Sequence, residues 1–230
     1  MTVGPAGAGG LRERKKQRTR DALARAALEL FTTQGFEETT VDEIADAADV
    51  SQRTFFRYYA SKLEVAFAVQ EVVEEHFLAS LRSRPPEEAP FEAMRNAALT
   101  AWDTVEEVIA EIVPVELHMR TYLIIESTPA LLAVHIRRSL ATEETLSRIL
   151  GEREGLDVDT DPRPRLAVAA MSGAMRVAGR LWGEGSDHSV RAIRELIAHY
   201  MDHLTPALVG PWRDRPEQGA GIGHSERFRP

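Results

Sequence analysis

Residues 40–59 read "TVDEIADAADVSQRTFFRYY". Thr40 precedes an apolar stripe of Val41, Ile44, Ala45 and Ala48, and Glu43 stands three residues after it. That is the pattern of a capping box, in which the hydroxyl and the carboxylate each satisfy a free N–H at a helix start. The stripe lasts only about two turns. Ser51 then sits where a second N-cap belongs, and Phe55 and Tyr59 are spaced i and i+4 on the short helix that it opens. The connector is "ADV". So short a turn usually wants a residue that tolerates positive φ, often Gly. Asp49 fills that need, because Asp enters the left-handed region more readily than most side chains. Helix, tight turn, helix is a geometry that lays its second helix in the DNA major groove, with the first residues of that helix against base edges.

The flanks agree with an all-α chain. Leu23, Ala26, Ala27, Leu30 and Phe31 predict an amphipathic helix over about 15–34, ended by Gly35. Ser61 and Glu64 form another box, opening a long helix that carries Ala66, Val69, Val72, Val73, His76 and Phe77 on one face. "RSRPPEEAP" (82–90) breaks it. Further stripes predict helices from Phe91 to about Val113, from Pro114 to about Ile125, from Thr128-Pro129 to about Gly151, and over roughly 162–184 and 187–207. The expected organisation is a flexible basic arm at 1–14, a three-helix helix-turn-helix domain at 15–62, a larger helical regulatory and dimerisation bundle at 63–209, and a disordered Gly/Pro/Arg-rich tail at 210–230.

Charge is sorted along the chain, whose net charge is −8. Up to Leu63 there are ten Lys or Arg against nine Asp or Glu, a balance of +1, which leaves −9 for the remainder. "RERKKQRTR" (12–20) holds six cations and one acid, and all three lysines lie before Leu63. One end is thus suited to a polyanion and the other is not. Gln52, Arg53, Thr54 and Arg57 fall on the second helix of the motif; Gln pairs by geometry with adenine and Arg with guanine. Phe55 and Tyr59 should pack inward on Leu30, Phe31 and Ile44. Phe56 and Tyr58 lie on other sides, Tyr58 with a hydroxyl able to reach a phosphate. Lys62 stands in the first turn of the next helix, where its charge adds to the positive dipole end. A small helical corner with an aromatic core would account for Phe55 and Tyr59. It would not account for Gln52, Arg53 and Arg57 on the solvent side beside a basic arm.

Taken together, "ALELFTTQGFEETTVDEIADAADVSQRTFFRYYASKLEV" resembles the N-terminal domain of the TetR family of bacterial transcriptional regulators, over about residues 15–66. The resemblance implies that Thr40 and Tyr58 contact phosphates, that Lys62 supports the backbone contact, and that Gln52, Arg53 and Arg57 read or line the groove, with Phe56 beside them. Asp49 stands where the family usually has Gly, and Phe56 where it often has Tyr. "ILGEREGLDVD", followed by an Ala/Met-rich helix ending "RLWGEG", is similar to the regulatory domain of the mycofactocin-system type within the family. That similarity implies a small effector, in some members an acyl-CoA. The family implies a homodimer on a palindromic double-stranded operator.

In the second domain, Ala170, Ala174 and Ala178 repeat every four residues, and Ile193, Ile197 and Tyr200 follow on the next helix. These are the expected two-fold interface, although packing within one chain explains the same spacing. Trp102, His118, Met119, Tyr122, Met171 and Met175, with Trp182, are candidates for an effector pocket, since Met and aromatic side chains suit irregular apolar cavities. Arg176 and Arg180 are expected in salt bridges. His199 and His203, i and i+4, lack a third ligand, so no metal is expected, and no cofactor. No apolar run is long enough for a membrane span, no signal peptide is evident, and Cys is absent. No phosphate loop, nucleophile elbow or HExxH argues for an enzyme. The expectation is a cytoplasmic, ligand-responsive repressor; an all-helical ligand-binding or adaptor protein without DNA-binding activity is the alternative.

Overall fold

The computed structural model describes residues 7–209, and their side chains from 12 to 205. Residues 1–6 of the expected arm and the tail at 210–230 lie outside the described residues. Among the described residues every element is an α-helix: α1 Gly7–Gln34, α2 Val41–Ala47, α3 Gln52–Tyr58, α4 Lys62–Ala66, α5 Ala68–Arg82, α6 Pro90–Ala110, α7 Val115–Ser127, α8 Pro129–Glu154, α9 Arg163–Glu184 and α10 Val190–Val209.

α1 begins earlier than its apolar stripe. The stripe marks only the buried part, whereas Arg, Lys and Gln at 12–20 are good helix formers. Lys16 pairs with Glu13 at 3.3 Å and Gln17 with Asp21 at 2.8 Å, both within one turn. Gly35, at φ 95, ends the helix. Thr40 then caps α2: its hydroxyl accepts from Glu43 N, and the Glu43 carboxylate accepts from Thr40 N at 2.8 Å. Ser51 caps α3 by accepting from Thr54 N. Between them Asp49 sits at φ 52, the one non-Gly residue with positive φ among those described. Its position lets Val50 N donate back to the Ala45 carbonyl at 2.9 Å and close the turn. Leu23, Ala27, Phe31, Ile44, Phe55 and Tyr59 are buried in one cluster, with Leu30 partly buried against it.

The stripe expected to run on from Ser61 is two helices. Phe67 leaves helical geometry, at φ −102 and ψ 7, and is fully buried. Its ring stacks on His135 with centroids 6.4 Å apart, under the Arg138 guanidinium at 5.4 Å. Both halves stay apolar, so the period alone does not reveal the break. α8 likewise runs past Gly151 to a left-handed Gly155 at φ 66. Gly151 remains helical and buried because the chain returns over it: a Cβ there would lie 2.5 Å from Val158 Cγ1. Arg153, further along α8, donates to the carbonyls of Arg84, Pro85 and Glu88, and so fixes the α5–α6 loop. α9 and α10 pack along each other and against α8 and α6 respectively, closing the bundle.

The left-handed Asp49 is a local test of the turn. Asp49→Gly should leave the fold intact and stabilise it by about 0.5–1 kcal/mol, whereas Asp49→Val should destabilise it by roughly 1–2 kcal/mol. Thermal unfolding of the two variants checks the order; a valine variant as stable as the parent would mean the turn does not hold this conformation.

Candidate nucleic-acid interface and ligand cavity

α3 shows two faces. Phe55 is fully buried, while Gln52, Arg53, Phe56 and Arg57 face outward, Phe56 at 51 % exposure with its edge 5.4 Å from Phe55. Thr54 is half-buried and pairs its hydroxyl with Ser51 at 3.0 Å. Half-buried Tyr58 lies under the Arg57 guanidinium, 5.0 Å from its ring centroid, and Arg57 donates to the Tyr58 hydroxyl at 3.4 Å. Thr40 is exposed, but its hydroxyl also donates to Glu43 Oε2 at 2.8 Å, so both its donor and its acceptor roles are engaged in the cap. The same Thr40 N–H holds the Glu43 carboxyl below its ordinary range. The outward face of α3 thus carries an amide and a guanidinium at its start, Gln52 and Arg53, and at its end the Arg57 guanidinium, which rests on Tyr58.

Lys62 is placed otherwise than the sequence suggested. Its ammonium points into the protein and donates to the carbonyls of Phe36, Glu37 and Thr39 at 2.7, 3.0 and 2.9 Å. It also lies 4.5 Å from the Phe36 ring centroid. All three N–H groups are therefore used on the turn between α1 and α2. The lysine clamps the helix-turn-helix instead of standing ready for a phosphate. Nothing in the periodicity reports where the carbonyls of that turn point.

The second centre is a cavity of about 200 Å³ lined by α5 to α10 and partly open to solvent. Trp102, His118, Met119, Tyr122, Met171 and Met175 all line it. Trp182 does not; it is buried beside it, its ring centroid 5.6 Å from that of Tyr122 and its Nε1 donating to the Ser189 carbonyl at 3.1 Å. Gln70 and Glu74 of α5 and His135 of α8 also line it, and sequence reasoning missed them. They are polar residues in helices whose apolar stripes draw attention elsewhere. Burial pushes the His118 imidazole down to about 4, so it is neutral near pH 7. Burial also lowers His135, and raises Tyr122 and Glu74. Arg176 lines the cavity but pairs with Glu143 at 2.9 Å, and Arg180 pairs with Glu184 at 3.7 Å.

The expected interface residues divide. Ala178, Ile193 and Ile197 are only 0, 4 and 2 % exposed within the single chain, and Ile193 and Ile197 line the cavity. Ala174 is buried as well. These four serve the molecule's own packing and do not face a partner; Ala170 and Tyr200 are half-buried. The remaining stripe of α9 is Leu166, Ala170, Gly173, Val177 and Leu181, of which Leu166 is exposed and the rest half-buried, as are Leu196 and Tyr200 of α10. Leu166 is 66 % exposed, and a Cβ on Gly173 would meet nothing within 4 Å. α9 carries small residues on both sides, so spacing alone did not say which side turned inward. His199 and His203 have ring centroids 4.3 Å apart, and His203 Nδ1 donates to the His199 carbonyl at 2.8 Å. No group of three or more metal-binding side chains occurs among the described residues. No helix among them is long and apolar enough to cross a membrane.

A capped helix-turn-helix with an amide-and-guanidinium face, carried on a helical bundle with an internal cavity, defines a DNA-binding regulator. Comparison with known proteins supplies the family. The profile of the bacterial regulatory proteins of the tetR family matches residues 23–69, and that of the MftR C-terminal domain matches residues 88–209. The HTH-type transcriptional regulator TcmR of Streptomyces glaucescens is 45 % identical over 204 residues, 89 % of this chain and 90 % of that protein. The candidate mycofactocin biosynthesis transcriptional regulator MftR of Mycobacterium tuberculosis is 31 % identical over 208 residues, covering 89 and 96 % of the two chains. In fold, the chain resembles NalD, the secondary repressor of the MexAB-OprM efflux pump in Pseudomonas aeruginosa, with a TM-score of 0.55 at 18 % identity over 84 % of this chain and 96 % of that one. The chain belongs to the TetR family of transcriptional regulators, DNA-binding proteins and not enzymes.

The Lys62 clamp predicts a stability effect. Lys62→Met should destabilise the protein by about 2 kcal/mol, since three carbonyls lose a charged donor. Thermal unfolding without DNA reads it; an unchanged Tm would return the ammonium to the DNA side.

Proposed function

We propose that the chain is a repressor that binds a palindromic operator as a homodimer, lays α3 of each copy in the major groove, and leaves the DNA when a small molecule occupies the cavity. The observation that carries the reading is α3 itself: one face is fixed by the buried Phe55, and the other presents Gln52, Arg53 and Arg57 to solvent. A fixed inner face gives the outer side chains a defined register, which base reading requires. Thr54, Phe56 and Tyr58 border that face, and we assign them to the sugar-phosphate walls, with the exposed Thr40 beside them at the start of α2, its hydroxyl held in the cap; the cations at 12–20 extend the contact along the backbone. In this reading residues 15–62 form the DNA-binding unit and 63–209 the unit for effector and partner, and the protein works in the cytoplasm, where the chromosome lies.

Two copies are required because one short helix reads too few base pairs for a unique site, and two-fold proteins match two-fold operators. The stripe of Leu166, Ala170, Gly173, Val177 and Leu181 supports α9 as the partner-facing helix, with Leu196 and Tyr200 of α10 beside it. The effector reading is supported by the six aromatic, His and Met residues that α6, α7 and α9 contribute to the cavity lining.

Operator fragments selected from genomic DNA with purified protein are the material for the test. Arg53→Ala and Gln52→Ala should each narrow the free-energy gap between operator and random duplex by roughly 1–3 kcal/mol, measured by fluorescence anisotropy. Equal losses on both DNAs would confine these side chains to phosphates. Gly173→Glu adds a charge on the outer face without crowding the chain's own packing. It should sediment as a folded monomer and lose operator affinity more than affinity for random DNA. A dimer that still binds its operator tightly would move the interface elsewhere.

A further inference from the structure

Two polar atoms of the cavity wall stand without a partner. Gln70 Oε1 of α5 and His135 Nδ1 of α8 are buried without a hydrogen-bond partner, and both residues line the cavity. Such orphans are few in folded proteins and each calls for an explanation. Both are acceptors. The Gln70 oxygen has only lone pairs to offer. His135 Nε2 faces the Glu126 carboxylate at 3.6 Å, too far for a hydrogen bond but near enough for the negative charge to favour the proton on Nε2, which leaves the Nδ1 lone pair free. The charged side chains of the wall add more oxygen, from Glu143, which pairs with Arg176 at 2.9 Å, and from Glu74, which lies 3.8 Å from Arg138, an arginine nearer to Glu71 at 3.1 Å. Arg176 is the one arginine in the lining, no lysine joins it, and its charge is already met by Glu143. Val73, Phe77, Trp102 and Met171 make much of the remaining surface apolar.

We propose that this cavity takes an uncharged, largely apolar molecule bearing hydroxyl groups, which donate to Gln70 and His135, and that it discriminates against anions. The assignment rests on reading the cavity as the effector site. Each hydroxyl supplies the one proton that an orphan acceptor lacks, so two hydroxyls would fill both. A carboxylate or phosphate would bring acceptors to acceptors and add negative charge beside two carboxylates, with no free cation inside to offset it. An ammonium would supply protons, but it would have to shed its water into a largely apolar cavity whose carboxylates, Glu74 and Glu143, already lie beside arginines. The acyl-CoA that the C-terminal resemblance suggests is a polyanion, and its charged part has no counterpart in this wall.

The test compares matched probes on the full-length protein by isothermal titration calorimetry at pH 7: 2-naphthol, its methyl ether 2-methoxynaphthalene, the anion 2-naphthoate and the cation 2-naphthylmethylammonium. 2-Naphthol should bind about 3- to 10-fold more tightly than the ether, which lacks the donated proton, and both ions should bind more weakly than 2-naphthol. In Gln70→Leu and His135→Phe, combined, affinity for 2-naphthol should fall to that for the ether, while the ether itself binds as it does to the parent. That control separates a lost hydrogen bond from lost packing. If either ion binds as tightly as 2-naphthol, or if the hydroxyl confers no advantage, the class is wrong and the cavity remains a ligand site of other chemistry. If none of the four probes binds, both the class and the effector reading fall.

Discussion

Glu71 stands between two arginines from distant parts of the chain. Its carboxylate lies 2.9 Å from Arg20 of α1 and 3.1 Å from Arg138 of α8. Neither pair is deeply buried, so each contributes modest free energy. The consequence is geometric, because each arginine is also held at its other side. The Arg20 guanidinium lies 5.6 Å from the Tyr59 ring centroid, and the Arg20 backbone carbonyl accepts the Tyr59 hydroxyl at 3.2 Å. Burial pushes that hydroxyl up to about 12, so it stays a protonated donor at any physiological pH. Tyr59 is the C-cap of α3. On the other side Arg138 covers Phe67, where α4 gives way to α5, and reaches Glu74 of the cavity wall. From the cavity to the end of the DNA-facing helix there is therefore an unbroken series of contacts: Glu74, Arg138, Glu71, Arg20, Tyr59. Under the proposed reading, a ligand that shifts Arg138 or α8 acts on a junction whose charges are shared with α1. Coupling of this kind needs two arrangements of the junction that a ligand favours unequally.

The helix-turn-helix was legible because its signals are local. Thr40 with Glu43, Ser51 with Thr54 and the left-handed Asp49 are each decided within four residues of chain, and each appears in the structure as the sequence implies. The cavity was legible in part for another reason. Trp102, Met171 and their neighbours are large apolar or aromatic residues on stripes that must turn inward, and bulky unlike side chains leave gaps where they meet. Gln70, Glu74 and His135 were not legible, because a polar residue in an amphipathic helix reads as solvent-facing until a second helix is packed over it.

The misplaced residues share one physical cause, which is dependence on contacts far apart in the chain. Lys62 reads as a helix-start cation beside DNA. Its destination is set by three carbonyls more than twenty residues earlier, at Phe36, Glu37 and Thr39. Phe67 reads as one more position in a helical stripe. Its departure from the helix accompanies a site built by His135 and Arg138 of α8. No short-range rule of capping or periodicity contains these partners.

α9 and α10 have two uses at once, which explains why their spacing was ambiguous. Met171, Gly179, Ile193 and Ile197 face the cavity, while Leu166, Gly173 and Val177 lie away from it. A helix about 10 Å across cannot move one side without the other. Under the proposed dimer, a molecule that presses on Met171 or Ile193 thus presses on the helices that set the spacing of the two α3 elements. Gly179 is a sensitive point in that arrangement, since a Cβ there would lie 3.1 Å from the Tyr122 hydroxyl. α9 approaches α7 closely there because no side chain intervenes. The charge distribution confines the result to one end of the molecule. The chain beyond Leu63 carries −9 and is repelled by a duplex, whereas the basic run at 12–20 and the face of α3 are not. Under the proposed reading DNA is met at that end, where α3 is held through Tyr59 and Arg20 to the carboxylate at Glu71.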